Sequence, residues 1–186
     1  MKIVISESQY QRLIEADEKP KILEFPSLEF FDNDPFEAWK IIQKILQRKD
    51  FDFFTSAKTR WRDVDTLGHI NHTVYLSILE TKHKDFIDHI YGQTTSDFGL
   101  KSTSAGLLAS MDVTYIKQVH HPAKLEIGCR ITRVGSKSYD VHQCIFIEGE
   151  DDPSFQTIHT FVMFNFVEQK SIPVHQIIIN NLRELE

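Results

Sequence analysis

Two carboxylates, two histidines and an asparagine surround a single glycine in the run Asp63-Val64-Asp65-Thr66-Leu67-Gly68-His69-Ile70-Asn71-His72. Side chains of these types at this density can do three kinds of chemistry. A carboxylate can take a proton from water or attack an electrophile itself. Histidines and carboxylates together can hold a metal. An Asp or Asn can also simply cap a turn or a helix. Asp65 offers a base or a nucleophile, with a turn acceptor or a partner for Arg60 or Arg62 as the plainer role. Asp63 reads as a structural acceptor at a turn or strand end. His69 reads equally as a scaffold for the loop and as a group that positions substrate. The metal reading is the weakest: His69 precedes the helix that follows and His72 begins it, so the pair does not share a helical face, and no metal is expected.

These residues need elements to hold them. Phe53 to Arg62 is rich in aromatic and β-branched residues without helical spacing, which predicts a first strand leading into the run. Asn71 caps a helix predicted over 72–91, whose apolar stripe is Leu76, Leu79, His83, Phe86, Ile87 and Ile90 and whose end is Gly92. Glu80 falls at the edge of that stripe, where it either pairs with Lys84 one turn on or orients a water. Residues 92–106 read as loop. Leu107, Ala109, Met111, Val113 and Tyr115 then alternate as a half-buried strand, and Leu125, Ile127, Cys129 and Ile131 repeat the pattern. Gly135-Ser136 marks a hairpin turn into a strand over 139–147. Phe155 to Val167 reads as a strand covered on both faces, and Pro173 opens a terminal helix to about Leu185. Upstream, Asp34-Pro35-Phe36-Glu37 starts a helix expected over 35–48 as a brace or lid. The organisation expected is an N-terminal extension, 1–50, followed by one domain, 51–186. One long helix among five strands buries its stripe only if the sheet curls around it.

Composition removes several classes of function. The 186 residues carry a formal charge of −6, and binding phosphate backbones needs a concentrated basic surface, so no nucleic-acid partner is expected. No apolar run approaches the ~20 residues that span a bilayer, and Met1–Glu7 lacks the apolar region of a secretory signal, so a cytoplasmic location is expected. Cys129 and Cys144 have no metal-finger spacing and read as reduced, buried thiols. No glycine-rich nucleotide loop occurs.

The run from Asp63 to Leu76, followed by Glu80, resembles the acyl-CoA thioesterases of the hotdog fold, in which an Asp-x-Asp-x-x-Gly-His-(Val/Ile)-Asn-Asn signature precedes the central helix. The resemblance covers about residues 53–185. It implies an α+β fold, a five-stranded antiparallel sheet wrapped around one helix, and hydrolysis of an acyl-CoA thioester to free acid and CoA. Asp65 matches the catalytic carboxylate. His72 falls where a helix N-terminal N–H polarises the thioester carbonyl, although Asn is usual at that position. His69 and Asn71 match the family's own His and Asn, and Glu80 joins them as a candidate. Gly68, the turn glycine, and Tyr75 are assigned to substrate binding. CoA is then a substrate carrier with no retained cofactor, and a homodimer or dimer of dimers is expected, paired through an edge strand. The rival expectations are a non-catalytic module for acyl thioesters or lipids, and a hydroxyacyl-thioester dehydratase using His69 or His83 with Glu80.

Overall fold

Asn71 and Gly92 close the two ends of one long helix. The computed structural model describes residues 45–92 and 103–183, and within them α1 runs His72–Tyr91. The Asn71 side chain accepts the Thr73 N–H at 3.0 Å. Gly92 adopts left-handed backbone at φ 63°, which turns its N–H back to the Asp88 and His89 carbonyls. Between these caps Tyr75, Leu79, Phe86 and Ile90 are buried, a single stripe at helical spacing.

That stripe packs on an antiparallel sheet made of β1 (Phe53–Lys58), β2 (Ser104–Tyr115), β3 (Lys124–Val134), β4 (Ser138–Ile147) and β5 (Phe155–Asn165). Their order is β1-β3-β4-β5-β2, and the short β6 (Lys170–Ser171) pairs with β5. Alternation puts Leu125, Ile127, Cys129 and Ile131 of β3, Tyr139, Val141 and Ile145 of β4, and Phe155, Phe161 and Met163 of β5 into the core with the helix. The even-numbered β4 residues Cys144 and Phe146 turn to the other face, where they pack with Leu46 and Phe51. Every element described belongs to one unit, Leu46–Glu186. Both cysteines are free and buried, as expected. Burial pushes the Cys129 thiol up to about 12 and Cys144 up as well, which leaves neither as a nucleophile at neutral pH.

Several expected boundaries move. The first strand stops at Lys58 rather than Arg62, because the Thr59 hydroxyl, in place of a backbone carbonyl, accepts the Ala123 N–H at 2.8 Å and residues Trp61–Asp63 wind into a 3-10 turn. The strand after the loop begins at Ser104 rather than 107, and residues 93–102 of that loop lie outside the described residues. Pro173 does not open a helix; α2 is only Gln176–Asn180. Leu182 then bridges to Ile131 and the Arg183 N–H donates to the Ile131 carbonyl at 2.9 Å, which pulls the chain onto β3. The helix expected over 35–48 lies outside the described residues up to position 44. Of the rest, Arg48–Asp50 form a single 3-10 turn.

The alternating strand β2 is not half-buried in the way its pattern predicts. A bulge between Leu108 and Ser110 shifts the register, so that Leu108, Met111, Val113 and Tyr115 pair with Phe161, His159, Thr157 and Phe155 of β5. As an edge strand, β2 leaves Leu107, Leu108, Met111 and Tyr115 exposed. Among the described residues, no helix is long and apolar enough to cross a membrane.

Candidate active site

The polar run folds as a hairpin-like loop between β1 and α1, closed by reciprocal contacts. Asp63 is 3% exposed and receives the Arg60 N–H at 2.7 Å and its Nε at 3.2 Å. Burial alone would push its carboxyl up, but hydrogen bonds from the Arg60 side chain and backbone, and the charges of Arg60 and Arg62, hold it below the usual carboxylate range. Its own carbonyl accepts the Asn71 N–H at 2.8 Å. Asp63 is therefore the structural acceptor, and Arg60 pairs with it rather than with Asp65.

Inside this frame Val64 bridges to Ile70, and the Asp65 N–H donates to the His69 carbonyl at 2.8 Å. Gly68 makes the reversal at φ +83°, a conformation that a Cβ would strain. The Asp65 carboxylate is half-buried and asymmetric. Its Oδ1 accepts the Leu67 N–H at 2.8 Å and the His69 N–H at 3.3 Å, whereas Oδ2 has no partner among the described residues. One oxygen is thus fixed and the other is left to act on water or a carbonyl.

The start of α1 stands next to this loop in the chain. Asn71 takes the Thr73 N–H, as a cap should, and the His72 N–H is left without an acceptor among the described residues. A free N–H at the positive end of a helix is the donor that a developing oxyanion needs. The His72 side chain is exposed, and its carbonyl accepts the Tyr115 hydroxyl at 3.2 Å. Tyr75 is 4% exposed, stacked on Phe155 at 5.0 Å and edge-on to Tyr115 at 5.8 Å. Burial raises its hydroxyl above the usual tyrosine value, with smaller contributions from Tyr115 and the Asp65 charge. In this conformation Tyr75 forms a wall behind the loop.

Glu80 is exposed two turns along α1, about 12 Å from its start at 1.5 Å per residue. It makes no ion pair with Lys84 among the described residues. Lys84 reaches Asp88 at 2.7 Å instead. His83 points into the core, stacked on Phe161 at 4.5 Å, with Nδ1 enclosed and unpartnered. Glu80 and His83, one turn apart, make no hydrogen bond to each other among the described residues, since Glu80 is exposed and His83 is turned onto Phe161. Burial, helped by the neighbouring His159, pushes His83 down to about 4. Among the described residues no three His, Cys, Asp or Glu side chains are grouped to hold a metal.

The connection between β2 and β3 supplies groups that the sequence does not announce. Val119 accepts the Ile70 N–H at 2.9 Å. The His120 ring lies 4.7 Å from the His69 ring at 64°, with its Nδ1 3.2 Å from the Gly68 carbonyl. Only the rule that this connection returns to the same end of the sheet as the β1–α1 loop would have pointed to it.

A family profile described as thioesterase-like superfamily matches residues 59–182. Among solved structures, the PA5185 protein from Pseudomonas aeruginosa is similar at 23% identity and TM-score 0.65, covering 74% of this chain and 94% of its own. The YbaW probable thioesterase from Escherichia coli is similar at 20% identity and TM-score 0.59, covering 69% and 94%. A 1,4-dihydroxy-2-naphthoyl-CoA thioesterase from Synechocystis is similar at 13% identity and TM-score 0.61, covering 70% and 94%. Likeness at these identities is a likeness of fold, the curled hotdog sheet around one helix. No curated protein matches the chain.

Proposed function

The chain belongs to the thioesterase-like superfamily, and from that premise we propose that it hydrolyses an acyl-CoA thioester, with Asp65 as general base or nucleophile. The observation that carries this reading is the asymmetry of Asp65, one oxygen held by two N–H groups and the other without a partner among the described residues, in a loop that leads directly to the His72 N–H, likewise without an acceptor among them. In the base route Asp65 takes a proton from water as the water oxygen bonds to the thioester carbon. The carbonyl oxygen gains charge and accepts the His72 N–H. The C–S bond then breaks, and the proton passes to the departing thiolate, giving free acid and CoA. In the nucleophile route Oδ2 attacks the same carbon, CoA leaves, and water hydrolyses the mixed anhydride. Asn71 contributes by capping the Thr73 N–H, Gly68 by the reversal, and His69 by its N–H to Oδ1. The His72 side chain is not required for either route, since any residue but proline supplies the N–H.

The substrate class follows from a panel. Short, long and aromatic acyl-CoAs, including hydroxylated aromatic ones because the Synechocystis neighbour is named for such a substrate, are incubated with the protein and free thiol is measured. Release from at least one acyl-CoA supports the reading. Binding without release from any acyl-CoA or carrier-protein thioester would favour a non-catalytic module, and hydration of enoyl-CoA would favour a dehydratase.

The same reading includes a homodimer or dimer of dimers in the cytoplasm. Its support is β2, an edge strand whose Leu107, Leu108, Met111 and Tyr115 stand in solvent, where an uncovered apolar edge invites pairing. Met111→Lys is expected to shift the particle from the mass of an oligomer to that of a monomer in light scattering, because each large apolar side chain kept in water forgoes about 1.5–3 kcal/mol. A monomeric parent protein at micromolar concentration would rule the edge out.

A further inference from the structure

We infer that His120, on the connection between β2 and β3, is a positioning residue for Asp65 that acts through the peptide unit joining Gly68 to His69; this rests on the reading of Asp65 as the catalytic carboxylate. The His120 Nδ1 lies 3.2 Å from the Gly68 carbonyl oxygen. A carbonyl oxygen only accepts, so Nδ1 carries the proton and donates. The N–H of that same peptide unit is the one from His69 that reaches Asp65 Oδ1 at 3.3 Å. His120 therefore holds one end of a planar group whose other end holds the carboxylate, and bonds in series of this kind strengthen each other.

The peptide needs such a restraint. Gly68 sits at φ +83° and has no side chain to limit rotation about its neighbouring bonds. A flip of the peptide would turn the His69 N–H away from Asp65 and leave Oδ1 with the Leu67 N–H alone. The bond from His69 is also the longer of the two on Oδ1, and so the more dependent on how the peptide is oriented. His120 itself is delivered from a fixed base: Val119 accepts the Ile70 N–H at 2.9 Å, and His121 Nδ1 meets the Thr59 hydroxyl at 2.9 Å. The His69 ring packs against the His120 ring, so packing alone is the competing role.

His120→Leu keeps much of the bulk and removes the donor, whereas His120→Asn keeps an amide N–H close to the position of Nδ1. Both are compared with the parent and with Asp65→Asn, using the acyl-CoA that the parent turns over best. His120→Leu is expected to lower kcat about tenfold with KM changed by less than about twofold, as a small misplacement of a reacting group does. Its thermal midpoint stays at the parent value, and His120→Asn recovers most of the lost kcat. The inference is overturned if His120→Leu keeps the parent kcat, if its loss lies in KM or in the melt, or if His120→Asn is as impaired as His120→Leu. An inactive Asp65→Asn beside an unimpaired His120→Leu would remove the role of His120 alone. Full turnover by Asp65→Asn would remove the reading of Asp65 and this inference with it.

Discussion

Asp65→Asn lowers kcat for acyl-CoA hydrolysis by about 10²–10⁴-fold, the range that a positioned acid–base group contributes, and leaves the melting temperature close to that of the parent protein. The substitution is nearly isosteric. The amide oxygen can still accept the Leu67 and His69 N–H groups that now meet Oδ1 at 2.8 and 3.3 Å, so the loop keeps its shape. What changes is the other position. Where Oδ2 stands without a partner among the described residues, the variant carries an NH₂ that can neither take a proton from water nor attack a carbonyl. The loss corresponds to about 3–5 kcal/mol of transition-state stabilisation. Because KM reports contacts made equally in the ground state, it should change little. Steady-state release of thiol, with a thermal melt alongside, checks both halves. Parent-like kcat in a folded Asp65→Asn protein would end the assignment of Asp65, and a collapsed melt would show the carboxylate to be a structural acceptor instead.

How far these features are legible in the sequence depends on whether their causes are local. The helix over 72–91 is read correctly because both ends carry their own stop signals, Asn71 and Gly92, and because the stripe between them has one period. The turn at Gly68 is legible for the same reason: it shares a short run with the cap that follows. The errors fall where a remote partner decides. Strand β1 ends early because the Thr59 hydroxyl, in place of a backbone carbonyl, accepts the Ala123 N–H on a distant connection. The terminal helix is cut to Gln176–Asn180 because Leu182 and Arg183 are drawn to Ile131. The alternation along β2 misleads because a single bulge after Leu108 exchanges the faces. His120 is the clearest case. Nothing near it in the chain differs from an ordinary loop, and its relation to Gly68 exists only once β3 has paired with both β1 and β4. The sequence leaves Arg60 open to Asp65, and the choice of Asp63 instead needs the 3-10 turn that brings its guanidinium there.

The second large effect concerns stability in mild acid. His83 lies in the core-facing stripe of α1 and stacks on Phe161 at 4.5 Å, and its Nδ1 is buried with no partner among the described residues. Burial, with the adjacent His159, holds it down to about 4 against a usual value of 6.5, and burial lowers His159 in the same direction. The unfolded chain thus binds protons at these histidines that the folded chain refuses. Folding stability then falls as pH drops through 6.5 and goes on falling to about 4, where His83 is finally charged in both states. The shift at His83 alone is worth up to about 3 kcal/mol at about 1.4 kcal/mol per pKa unit. The lowered carboxylates do not blur this window. Asp63, Asp85 and Asp140 lie below 3.8 in the fold, so their contribution is lost only at lower pH. His83→Phe keeps an aromatic ring for Phe161 and removes the proton site. Because it also removes an unsatisfied polar atom, its stability at pH 7 should match or exceed that of the parent. Urea unfolding between pH 7 and 4.5 should therefore show a shallower loss for His83→Phe than for the parent, with the residual slope coming from His159. Parallel losses in the two proteins would mean that His83 charges without cost, against the burial of its Nδ1 and its stacking on Phe161.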